Sequence, residues 1–220
     1  MLGANLRSEM EKNQIKIIAD DLKIPYLVHF THLNNLSSIL EKGIYPRSRI
    51  STLPSQVNYN DELRLDGRDD SVSVSIAFPN SSMFYKYRNE KEGEWVVLIL
   101  PRSILWELDC AFCKYNAADI RISSQPIESL KTETAFQEMF IEAEGESLRT
   151  EQNIKTYDPA DVQAEVLVFD VIPSEKIASV VFQSKEARDL HKDILNGRKD
   201  YVHPPNKGLF ASRGYARKYS

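Results

Sequence analysis

The sequence predicts an α+β domain built on a mostly antiparallel, split sheet. Three observations carry this reading. Short apolar runs of strand length recur: YLVHF (26–30), SVSVSIAF (71–78), WVVLIL (95–100), AEVLVFDV (164–171) and KIASVVFQ (176–183). Helical periodicities fall irregularly between them, without the strand–helix alternation of a parallel sheet, and no glycine-rich phosphate-binding turn accompanies any strand. With 220 residues, 42% of them hydrophobic, the chain is long enough to bury a sizeable core.

Taken in order, the residues after Asn5 read as an amphipathic helix at about 6–22, with Ile15, Ile18 and Leu22 on one face and Pro25 beyond its end. YLVHF is the first strand. LNNLSSILEKGI places Leu33, Leu36, Ile39 and Leu40 at helical spacing, with Thr31 or Asn34 as a cap and Gly43 as the stop. Residues 45–70 lack a period, contain Pro46 and Pro54, and form a loop of roughly 25 residues, a length usually kept for function. SVSVSIAF alternates as a half-buried strand does. SMFYKYR reads as a short helix, WVVLIL as a third strand, and PRSILWEL as a helix opened by Pro101. A helix over 127–139 turns Leu130, Phe136 and Phe140 inward. The 164–171 strand then takes 176–183 as its expected neighbour, and KEARDLHKDIL closes the core as an amphipathic helix. The expectation is one domain over 1–220: the N-terminal helix, a core at 24–196, and a basic, aromatic tail at 198–220.

Composition narrows the function. The N-terminus lacks a signal-peptide core and no apolar run reaches spanning length, so a cytoplasmic protein with no membrane partner is expected. Cys110 and Cys113 form a lone CxxC between a helical stretch and a loop, read as reduced, partly buried thiols; no metal site is expected. The net charge of −4 divides unevenly. The tail holds Arg198, Lys199, Lys207, Arg213, Arg217 and Lys218 against Asp200, interleaved with Tyr201, Phe210, Tyr215 and Tyr219. Charges for phosphates and rings for bases suit a single-stranded nucleic acid. The same composition also describes a solubilising, poorly ordered terminus.

No G-x-S-x-G, H-E-x-x-H or P-loop is present, so hydrolase, metalloenzyme and kinase readings lack support. Four polar clusters remain. His29 and Thr31 share one face of the first strand. Arg64 and Arg68 lie in DELRLDGRDD, at the end of the long loop. Phe84, Tyr85, Lys86, Tyr87 and Arg88 crowd together in FPNSSMFYKYR, as core aromatics or as a stacking platform. Glu165 interrupts an otherwise apolar strand, where a carboxylate belongs only if it is paired or has work to do.

Taken together, PYLVHFTHLNNLSSILEKGI, RLDGRDDSVSVSIAFPNSSMFYKYR, CAFCKYNAA and DVQAEVLVFDVIPSEKI resemble the DarT family of nucleic-acid ADP-ribosyltransferase toxins. The likeness spans roughly residues 24–183, and the RLDG and MFYKYR wording is closer to the guanine-modifying branch than to the thymidine-modifying one. It implies an ADP-ribosyltransferase-like split antiparallel β-sandwich with surrounding helices and NAD in the cleft. It also implies transfer of ADP-ribose to a base of single-stranded DNA, and a partner antitoxin, usually a macrodomain, that removes the mark. Carried over by motif, Glu165 is the catalytic glutamate and Arg64 the first choice for the catalytic loop arginine. His29, Thr31, Asn35, Arg68 and Tyr85 fall to NAD, and Arg88, Lys114 and Tyr115 to the nucleic acid. RNA, including mRNA in phage defence, is the alternative acceptor. A protein acceptor and an inactive binding module are the others.

The chemistry is consistent with these residues. Cleaving the nicotinamide–ribose bond develops positive charge on the ribose, which a preorganised carboxylate stabilises where water is excluded. The same group can take a proton from the attacking base. A base must leave its stack to be reached, which favours single strands.

Overall fold

The computed structural model describes residues 2–50, 67–143, 145 and 147–219, with side chains from residue 9 onward. Arg64 and most of the long loop lie outside the described residues. Among the described residues, seven strands form the sheet: β1 (Leu27–His32), β2 (Val72–Ile76), β3 (Trp95–Leu100), β4 (Cys110–Cys113), β5 (Glu165–Val168), β6 (Ser179–Phe182) and β7 (Lys199–Val202). Their order is β4-β5-β2-β1-β3-β6-β7. Every neighbouring pair is antiparallel except β6 and β7.

Two features explain the sequence pattern. WVVLIL is continuously apolar because β3 lies between β1 and β6 with both of its faces covered. β2 alternates because Val72, Val74 and Ile76 point into the main core while Ser73 and Ser75 point to the other face. That main core packs one side of the sheet against the helices Leu2–Asp21, Leu36–Lys42 and Glu133–Glu138, through Ile15, Ala19, Leu36, Ile39 and Phe136. The opposite side carries two smaller clusters, one around Phe84, Trp95 and Phe210, the other around Ala111, Cys113, Tyr115 and Leu167.

The sheet is narrowly joined at its middle. β1 pairs with β3 over its whole length, from Leu27↔Leu100 to His32↔Trp95. With β2 it makes only Leu27↔Ile76 and Val28↔Ser75 before the two strands part. This is the split anticipated from the sequence.

Three expectations need correction. β6 is not the neighbour of β5: it pairs with β3, and β5 lies between β2 and β4. The segment joining β5 to β6 passes through Pro173 and a turn of 3-10 helix at Ser174–Lys176, so no hairpin forms. The CxxC, expected between a helical stretch and a loop as partly buried thiols, is itself strand β4; both cysteines are buried and outside any disulfide, and burial pushes the Cys110 thiol up to about 12. The tail is not a solvated terminus. It contributes β7 and the helix Arg213–Lys218, and Arg198, Arg213 and Arg217 turn inward onto protein acceptors. Among the described residues, no helix is long and apolar enough to cross a membrane.

Candidate active site

Glu165 opens β5, with Cys113 of β4 opposite it. Counting along the ladder, Glu165 shares a sheet face with Ser73 and Cys113, away from the main core. Its carboxylate is 5% exposed, so it needs polar partners. The Ser73 hydroxyl donates to one oxygen at 2.6 Å and the Asn116 amide donates to the other at 2.6 Å. The amide itself is oriented, because the Asn116 oxygen accepts from the Ala118 N–H at 2.9 Å. The two neutral donors, Ser73 and Asn116, each hold one oxygen and so fix the carboxylate plane.

Ser73 also ties this carboxylate to the split. Where β1 swings away, the Ser73 carbonyl is met by a side chain: His29 Nδ1 donates to it at 2.9 Å. One residue thus connects the imidazole of β1, through its carbonyl, to the carboxylate of β5, through its hydroxyl. Burial lowers the pKa of His29 below its ordinary value, and the bond to Ser73 only partly opposes this. The ring is therefore neutral near pH 7, with Nδ1 carrying the hydrogen and Nε2 able to accept.

The pairing of Cys113 with Glu165 decides what surrounds the site. The chain leaving β4 must pass beside the carboxylate, which delivers Lys114, Tyr115 and Asn116 there. Tyr115 is nearly buried, with the Arg121 guanidinium 3.5 Å from its ring centroid and the Lys114 ammonium 5.7 Å away. Arg121 in turn grips Asp119 with two hydrogen bonds, at 2.9 and 2.8 Å. Beyond Tyr115 lies a cleft of about 280 Å³ whose walls include Lys114, Arg121, Gln125, Thr132 and Glu138.

The remaining candidates divide. Thr31 and Asn35 are both buried and bonded to each other, Asn35 Nδ2 donating to Thr31 Oγ1 at 3.0 Å. Arg68 closes the turn into β2, its carbonyl accepting from the Ser71 N–H and hydroxyl. On the helix Ser81–Glu90, Phe84 stacks on Phe30 at 4.5 Å and Tyr87 lies parallel to Trp95, so these rings are core. Tyr85 faces outward and is 60% exposed. Arg88 donates to the Phe210 carbonyl at 2.9 Å and covers the Phe84 ring, which commits its guanidinium to the fold. Sequence reasoning missed Ser73 and Asn116. Their signals were a serine on the uncovered face of SVSVS and an asparagine three residues after the CxxC.

A split sheet with a buried, doubly bonded glutamate opening one strand and a histidine at the parting of two others is the frame of an NAD-dependent ADP-ribosyltransferase. The comparisons agree. The sequence model of the family described as "ssDNA thymidine ADP-ribosyltransferase, DarT" matches residues 28–207. The chain belongs to the DarT family. No curated protein matches it. Among solved structures, Thermus sp. 2.9 DarT in complex with ADP-ribosylated ssDNA superposes with a TM-score of 0.59 at 18% identity, covering 82% of this chain and 95% of that one. The same protein in complex with NAD+ gives 0.52 at 16% identity, over 82% and 96%. Thermosipho africanus DarTG in complex with ADP-ribose gives 0.57 at 18% identity, over 82% of this chain; the chain spans 50% of the length of that protein. At these identities the likeness is one of fold.

Proposed function

We propose that this protein transfers ADP-ribose from NAD to a base of single-stranded DNA, releasing nicotinamide, and that guanine is the acceptor. The observation that carries the reading is the Glu165 carboxylate, held by Ser73 and Asn116 beside the parting of β1 and β2. Held in that plane, it accepts from a ribose hydroxyl of NAD and stabilises the positive charge that grows on the ribose as the nicotinamide bond lengthens. It then takes the proton of the attacking base. Neutral His29, with Thr31 and Asn35 fixing the end of β1, forms the NAD side of the cleft. Arg64 or Arg68 neutralises the diphosphate, and Tyr85 supplies a ring for nicotinamide. Lys114 and Tyr115, beside the carboxylate, meet the acceptor strand, whereas Arg88, bonded to the Phe210 carbonyl in the other small cluster, stands apart from them.

Several observations support the reading. The Thermus relative carries ADP-ribosylated ssDNA in one structure and NAD+ in another. Guanine rests on the RLDG and MFYKYR wording, whereas the family description names thymidine. The Thermosipho relative is a DarTG, and an antitoxin of macrodomain type that removes the mark is the partner we propose for this chain.

The test is transfer from labelled NAD to oligonucleotides. Single-stranded DNA containing guanine should take up label, while duplex DNA, RNA and protein should not. A thymidine-only oligonucleotide accepting label in place of a guanine-containing one would reverse the choice of base. Label on protein or RNA alone would overturn the reading. Glu165→Gln preserves the shape of the side chain and should lower transfer by about 10³-fold or more.

A further inference from the structure

Arg213 and Arg217 hold a buried carboxylate and a row of carbonyls on the segment before β5 in a fixed cradle. Arg213 is buried, 4% exposed. It donates to the carbonyls of Pro159 at 2.7 Å, Ala160 at 3.0 Å and Asp161 at 3.4 Å, and to the Gln152 side chain at 3.2 Å. One turn further along the helix, Arg217 grips Asp158 with both prongs, at 2.8 and 2.6 Å; Asp158 is completely buried. Asp158 is held from its own side too, by the Lys155 N–H on its carboxylate and by Arg149 on its carbonyl.

This cradle lies four to seven residues ahead of Glu165. The intervening chain is short and turned, Gln163 donating to the Asp161 carboxylate and Ala164 to its carbonyl. Glu165 is the first residue of β5. Its ladder partner is on the β4 side alone, because pairing with β2 begins at Val166. The direction in which the chain enters β5 is therefore set from the C-terminal helix. That helix lies past residue 207, where the match to the family's sequence model ends.

We propose that the helix Arg213–Lys218 positions Glu165, with Arg213 and Arg217 as positioning residues that act through residues 158–161. The inference rests on the assignment of Glu165 to the chemistry. An ordinary packing helix would contribute stability without touching the rate. A positioning helix sets the carboxylate against the reacting ribose, where a displacement of about 1 Å costs about 10²-fold in rate.

The test uses the whole protein carrying Arg217→Lys, Arg217→Met, or Asp158→Asn together with Arg217→Met, which removes both buried charges at once. Transfer kinetics with NAD and single-stranded DNA are read beside amide hydrogen exchange and thermal unfolding. The double variant should lose about 10-fold to 100-fold in kcat, with KM for NAD within about twofold. Exchange should quicken over 158–166 and stay unchanged in β3, and Arg217→Lys should recover part of the rate. A folded double variant with wild-type kcat and wild-type exchange at 158–166 would overturn the proposal. So would loss of the whole fold in every variant, which would assign the helix to stability alone. If the unaltered protein transfers to no acceptor, the functional reading fails. The exchange pattern still decides whether the helix steadies the entry to β5.

Discussion

At the residue scale, the carboxylate of Glu165 accepts from two neutral donors, the Ser73 hydroxyl and the Asn116 amide. Replacing Asn116 by Asp would set a second carboxylate against it, and two such groups at about 3 Å cannot both be ionised near neutrality. Asn116→Asp should therefore move the acid limb of the pH–rate profile to higher pH, measured as kcat/KM across pH 5–9. An unmoved limb would mean that Glu165 is not the titrating group. His29 gives a stability prediction with a definite sign. Its pKa in the fold is below the ordinary value of 6.5. As pH falls below that value the unfolded chain takes up a proton that the fold refuses, so stability falls with falling pH. His203 is shifted in the same direction by burial, so His29→Gln should remove part of the slope of the urea midpoint below pH 6.5, not all of it. Glu165 was legible because a carboxylate inside AEVLVF must be paired or have work to do. Ser73 and Asn116 were not. A serine alternating with valines looks like the wet face of a strand, and an asparagine after a strand looks like turn chemistry.

At the scale of elements, five strands were readable, β4 and β7 were not, and the pairing of 164–171 with 176–183 was misread. AEVLVFDV and KIASVVFQ are neighbours in sequence and both mostly apolar, yet they occupy different halves of the sheet. Apolar content says that a strand is covered on both faces, and it is silent on which strand lies beside it. Strand β4 escaped notice because CAFC is only four residues long and reads as a pair of partly buried thiols between a helical stretch and a loop. One junction between elements is sterically exacting. Gly43 ends the helix Leu36–Lys42 at φ +97°, and a Cβ there would lie 2.4 Å from the Ile172 carbonyl oxygen, in the bridge that joins Ile44 to Ile172. Gly43→Ala combines a backbone region nearly reserved for glycine with a clash against main chain, and should cost about 3 kcal/mol in urea unfolding. A loss below about 1 kcal/mol would mean that the bridge relaxes freely.

For the whole molecule, charge bookkeeping misled where geometry did not. The tail was read as a basic surface, but three of its arginines are spent inside the protein. The pair of Arg217 with Asp158 is the clearest case, with side chains 11% and 0% exposed. Arg217→Met strands a buried carboxylate and should cost about 3–5 kcal/mol. The double change with Asp158→Asn removes the uncompensated charge and should cost less than half as much. Equal losses would show that the contact packs more than it pairs. The sheet holds the other global lesson. Its two halves share one short ladder between β1 and β2, and the residues we assign to the chemistry gather at that parting from positions 29, 73, 116 and 165.

The inward grip of Arg213 and Arg217 also has a consequence in time. Glu165 is synthesised about fifty residues before the arginines that steady its approach. At about 5–20 residues per second, a nascent chain spends roughly 2–10 s with the carboxylate made and its brace missing. On the reading of Glu165 as the catalytic residue, the nascent chain passes that interval with its carboxylate unsteadied, a delay written into the order of the chain.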